Sequence, residues 1–151
     1  MLVALAACGQ AGAEPSATSG LTPPAGWTAI PEIATAAATA SKGDGVIVDG
    51  AEAWGDRARG CYGVWLALHG DGASTEQVLA GLATEPITTT NVVKPESGDG
   101  LVAMSFTSGS YRGRLRARIA AGKITALACF ANEREPAACE GPCTTLLGGL
   151  P

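Results

Sequence analysis

The chain has 151 residues, enough for a single domain with its own core. Its net charge of −4 excludes a global electrostatic pull toward nucleic acid. Apolar residues make up 46% but aromatics only 5%, so the expected core is rich in small side chains, with Trp27, Trp54, Trp65, Phe106 and Phe130 as its bulky members.

Met1 to Ala7 is wholly apolar and runs into Cys8-Gly9. An apolar run ending in small residues reads as the tail of a secretory signal, because the signal protease admits only small side chains before its cut. Leu5-Ala6-Ala7-Cys8 resembles the bacterial lipobox: a large apolar residue, two small ones, then cysteine. That resemblance implies that the Cys8 thiol takes a diacylglyceryl group, and that cleavage leaves an acylated Cys8, with palmitate-type chains, at the new N-terminus. Two or more acyl chains anchor stably where one holds only marginally, so attachment needs no transmembrane helix, and no later stretch is long and apolar enough to supply one. The run before Cys8 is short and carries no cation, so the translation start is expected upstream of Met1. Gly9 resembles the sorting signal for the outer membrane of Gram-negative bacteria.

Gly9 to Thr22 holds small and polar residues with Leu21 as its one large apolar side chain. Such a segment cannot bury enough surface to offset its ordering entropy and reads as a flexible tether. The expected organisation is a truncated signal segment (1–7), a lipidated cysteine and tether (8–22), and one domain (23–151), held in the cell envelope by its lipid.

With Cys8 acylated, four cysteines remain: Cys61, Cys129, Cys139 and Cys143. An even number outside the cytoplasm points to two disulfides, and four cysteines allow three pairings. A zinc site is the rival, since Cys139 and Cys143 have three residues between them, but there is no second close pair and His69 is the only histidine. A redox-active pair would prefer two intervening residues.

In chain order, Pro23-Pro24-Ala25-Gly26-Trp27 opens the domain, with Trp27 as a core anchor. Ile30 to Ala40 is ambiguous, because its alanines favour helix while threonine and proline dilute the signal. Gly45 to Asp49 reads as a short strand, and Ala53 to Arg59 as a connection or weak strand. Cys61 to His69 alternates cleanly with both faces apolar, which predicts an interior strand covered on each side. Ser74-Thr75-Glu76-Gln77 fits a capping box, opening a helix to about Thr84 that Pro86 stops. Thr88 to Val93 is β-prone. Leu101–Thr107, Tyr111–Ala120 and Ile124–Phe130 read as an antiparallel meander. Asn132 to Pro142 is polar, and Thr144 to Leu150 is expected as a short final helix.

This order predicts an α+β fold: a single antiparallel sheet with one capped mid-chain helix and a short C-terminal helix. The Gly26-Trp27 opening, the capped helix at Ser74–Ala83, the meander and the terminal helix resemble the PsbP-like fold, which also occurs in secreted bacterial lipoproteins. The resemblance implies adaptor or assembly roles and supplies no catalytic residues or cofactor.

The sharpest pattern is Arg112, Arg114, Arg116 and Arg118, alternating with Gly113, Leu115, Ala117 and Ile119. Period two puts the four guanidinium groups on one face, about 6.5–7 Å apart along the strand. Leu101–Thr107 and Ile124–Phe130 contain no acid to answer them. The face is therefore expected either as a solvated sheet surface or as a contact for an anionic lipid, an acidic glycan or an acidic protein.

Other chemistries are weaker. His69 with Asp71 suggests an acid/base pair and hence an envelope hydrolase, but no Gly-x-Ser-x-Gly elbow accompanies it. Asp44, Asp49, Glu52 and Asp56 form an acidic cluster that could hold calcium, although the spacing matches no EF-hand loop. A small-ligand or metal-binding module would need an apolar pocket between sheet and helix or four converging cysteines. The expectation from sequence is a non-catalytic binding or scaffolding role at the membrane surface.

Overall fold

Period-two alternation commits most of this chain to strands that bury one row of side chains and show the other. A computed structural model describes residues 17–43, 45–82, 87–132 and 136–150. The signal segment 1–7, Cys8 and most of the tether lie outside the described residues. The elements in order are β1 (Thr28–Ala29), α1 (Pro31–Ala40), β2 (Ile47–Asp56), β3 (Cys61–His69), α2 (Thr75–Leu82), β4 (Ile87–Val93), β5 (Gly100–Ser108), β6 (Tyr111–Ala120), β7 (Lys123–Asn132) and α3 (Pro136–Gly148). All seven strands join one sheet in the order β1-β2-β3-β7-β6-β5-β4, and each neighbouring pair is antiparallel. The α+β class with a single antiparallel sheet is therefore correct, with sheet predominating over three short helices. No helix among the described residues is long and apolar enough to cross a membrane.

The two halves, β1–β3 and β4–β7, meet where β3 pairs with β7 along its whole length. β3 is thus interior, and both its faces are covered: Cys61 and Trp65 are buried on one side, Val64 on the other. The first face carries Trp54, Trp65, Leu127 and Cys129, and α3 lays Leu146, Leu147 and Leu150 over them together with Trp27. The second face carries Val102, Met104, Ala117, Ile119 and Ile124, closed by Val78 and Leu79 of α2. Ile30, just before α1, sits on this second face over Gly55, where an added Cβ would come within 3.0 Å of its Cδ1.

Several elements depart from expectation for identifiable reasons. α1 does form: Pro31 occupies its first turn, where its missing N–H costs nothing. β2 is one strand where the sequence suggested two pieces; a bulge between Val48 and Gly50 absorbs the irregularity. α3 begins at Pro136, well ahead of Thr144, and keeps Pro142 in its interior. Proline there removes one helical hydrogen bond, and two disulfides to the sheet hold the helix in place. Ser74 caps α2, its Oγ accepting the Gln77 N–H at 3.2 Å. Gln77 does not complete the capping box: its Oε1 is buried without a partner. Phe106 and Phe130 are half-buried, not core, and cluster with Tyr62 and Tyr111 over Gly113.

The stretch read as the end of the tether contacts the domain from Ala17 onward. The Ala17 N–H donates to Asp49 O at 2.9 Å, the Ser19 hydroxyl donates to Glu52, and Leu21 packs against the α3-side core.

Candidate functional site

The register places the four arginines on the same face as α3. Each arginine heads a row across the sheet. Thr88, Thr107, Arg112, Ala131 and Cys61 are successive partners, and so are Thr90, Ser105, Arg114 and Cys129. Toward the other end the rows change character, with Ala103 beside Arg116 and Leu101 beside Arg118. The β5 and β7 residues on this face contribute no carboxylate, as their sequences predict.

α3 covers β7 and β3 and reaches only as far as β6. On this face of β4 and β5, Thr88, Thr90 and Thr107 are exposed. The arginine row therefore runs along the foot of the helix, with an open floor beyond it. Arg112 and Arg118 are exposed, while Arg114 and Arg116 are half-buried against the helix. Arg114 Nη2 donates to Thr144 Oγ1 at 2.8 Å, and Arg116 Nη1 donates to Leu147 O at 3.2 Å. The second bond reaches the last turn of α3, where carbonyls lack helical partners and the helix dipole favours a cation. Both acceptors are neutral, so neither bond removes the positive charge. At a spacing of about 6.7 Å, two adjacent arginines repel by about 0.6 kcal/mol in water, and more beside a low-dielectric wall.

Two disulfides fix that wall. Cys61 pairs with Cys139 and Cys129 with Cys143, with Cα–Cα distances of 5.4 and 5.6 Å. Cys139 and Cys143 are one helical turn apart, so both point at the sheet from one side of α3. The pairing occupies all four thiols, and the zinc reading of Cys139 and Cys143 does not stand. Where the wall meets the floor lies an open cavity of about 300 Å³ lined by Arg112, Arg114, Ser105, Thr107, Thr90 and, from the helix, Glu140.

The remaining candidates disperse. His69 pairs with Asp49, not Asp71: its Nδ1 lies 2.7 Å from each Asp49 carboxylate oxygen, and Asp49 occupies the β2 bulge. Among the described residues, no hydroxyl or thiol bonds to His69, so the geometry holds an acid–imidazole pair without a nucleophile. In the acidic cluster, Glu52 accepts from Ser19 and Asp56 from the Arg59 N–H, while Asp44 lies outside the described residues. No group of three metal-ligating side chains occurs among the described residues, and the calcium reading finds no site.

Sequence reasoning missed the hydroxyls of Thr90, Ser105 and Thr107. Their signal was present in the β5–β6 turn. Pairing of Ser108 with Tyr111 sets Thr107 beside Arg112 and Ser105 beside Arg114. Compared with known proteins, the chain matches no family model and no curated sequence.

Proposed function

We propose that the protein is a non-catalytic envelope lipoprotein whose domain, PsbP-like in its order of elements, binds an extended acidic glycan along the arginine face. The observation that carries this reading is the trough: a row of four arginines at the foot of a disulfide-fixed helix, beside an uncovered floor. A helix is about 10–12 Å across, so a flat bilayer would meet α3 before it reached Arg114 and Arg116. An extended polymer can lie beside the helix and reach all four. Planar guanidinium forks suit carboxylates and sulfates, and Ser105, Thr107 and Thr90 offer hydrogen bonds to a hydroxylated chain.

The test is retention on immobilised heparin and on a uronic-acid polymer, beside binding to phosphatidylglycerol vesicles. The R112Q/R118Q variant changes exposed side chains and should elute at clearly lower salt than the unaltered protein. Retention at low salt that is unchanged in the variant refutes the reading. Tighter binding to vesicles than to either polymer turns it toward a lipid surface. The anchor has its own check, the intact mass of protein purified from native membranes. A mass starting at acylated Cys8 is expected, and an unacylated mass that retains residues 1–7 overturns the envelope address.

A further inference from the structure

We propose that the Arg112–Arg114 end of the trough is a discrete subsite for one sugar unit bearing an oxyanion, a carboxylate or a phosphate; this rests on the glycan reading above. The arginine row is uniform in sequence, but its surroundings are not. Arg112 and Arg114 stand beside Thr107 and Ser105, with Thr88 and Thr90 one strand further out. Arg116 and Arg118 stand beside Ala103 and Leu101, with the exposed Val93 paired to Ala103. On β7 a single hydroxyl, Thr125, stands beside Arg118; on β4 and β5 the hydroxyls are concentrated at the Arg112–Arg114 end, and the cavity of about 300 Å³ lies at that same end.

That volume is at the small end of the range for small-molecule pockets. Its lining brings the guanidinium groups of Arg112 and Arg114 and three hydroxyls, which can donate or accept, together with apolar atoms of Phe106, Phe130 and the Cys129–Cys143 disulfide. Glu140 closes the helix side. A carboxylate there repels an anion and accepts from a hydroxyl, so it keeps the oxyanion at β6, with one sugar hydroxyl toward α3 and others toward Ser105, Thr107 and Thr90 on β5 and β4. A bare anion answers only the guanidinium groups of this lining, and a neutral sugar only its hydroxyls. A sugar acid or sugar phosphate satisfies both.

The experiment is an NMR amide titration of the mature protein with glucuronate, glucose 6-phosphate, inorganic phosphate and glucose, repeated on the S105A/T107V variant. Heparin retention is measured in parallel. The subsite predicts shifts centred on Ser105, Thr107, Arg112 and Arg114 with the two sugar acids, weaker ones with phosphate, and none with glucose. It predicts about tenfold weaker binding of the sugar acids in S105A/T107V, with heparin retention kept. An acidic oligosaccharide should extend the shifts to Arg116 and Arg118 if the unit belongs to a chain, and leave them confined if it is free. Shifts spread evenly along the row, phosphate binding as tightly as glucose 6-phosphate, or undiminished binding in the variant would each overturn the subsite and leave the arginine-face reading standing. A protein that binds neither sugar acids nor heparin overturns both.

Discussion

Removing the two disulfides one at a time should give unequal losses of stability, and the inequality is set by topology. Cys61–Cys139 closes a loop of 78 residues, while Cys129–Cys143 closes one of 14. If the bonds act by restricting the unfolded chain, the longer loop contributes about 4.5 kcal/mol and the shorter about 3 kcal/mol. The two loops overlap, with Cys129 inside the longer one and Cys143 just beyond it, and this barely alters the comparison: a path through the short bond is only a few residues shorter than the direct one. The matched variants C61A/C139A and C129A/C143A both remove a buried sulfur pair between α3 and the sheet, so their local packing losses are alike. Urea unfolding followed by tryptophan fluorescence is the assay, since Trp27, Trp54 and Trp65 belong to the same core cluster as the four cysteines. The expected order places C61A/C139A lower by about 1.5 kcal/mol. Equal losses, or a larger loss for C129A/C143A, would refute loop closure as the main source of the stabilisation and point to native packing instead. Losing both bonds leaves α3 held by Leu146, Leu147, the following Leu150 and the two arginine contacts, so the glycan binding proposed above should weaken along with stability.

Other substitutions test single steps of the fold. Gly113→Ala would place a Cβ 2.5 Å from the Cys129 carbonyl oxygen and 2.7 Å from Phe106 Cζ, so thermal melting should show a loss of about 1–3 kcal/mol. Ala121 and Gly122 make the two-residue β6–β7 turn with φ of 51° and 72°; Ala121→Asn, which tolerates that region, should stabilise by about 0.5–1 kcal/mol in the same measurement. Ser74→Ala removes the cap of α2 and should cost about 1 kcal/mol in urea unfolding. Glu32, in the first turn of α1, is held below the usual carboxylate range first by a backbone hydrogen bond and then by Arg57. Its folded-state value is depressed, so its contribution is present at neutral pH and is lost as pH falls through that value. Carboxyl NMR titration should therefore show that Arg57→Gln restores only part of the shift.

Much of the sheet was legible because alternation is a local property. Cys61–His69 and Tyr111–Ala120 coincide with β3 and β6, and the period that puts four arginines on one face needs no knowledge of their neighbours. The helices were harder. α3 hides behind Pro136, Pro142 and two cysteines, residues that argue against a helix until the sheet supplies the bonds that hold it. Gln77 shows the reverse case, in which a good local motif is only half made because burial takes its side chain away from the cap. His69 lies beside Asp49 because β2 bulges there, an event twenty residues away from it.

The strands, the shared face of the arginines and four cysteines able to form two disulfides within 23–151 could all be read from the order of residues, since each depends on period or count alone. Which cysteines pair, that α3 lies on the arginine side of the sheet, and that the β4 and β5 hydroxyls gather at one end of the row could not. Those facts depend on which strands become neighbours and in what register. Cross-strand partners come from distant parts of the chain, and their choice is made by burying both faces of the sheet at once.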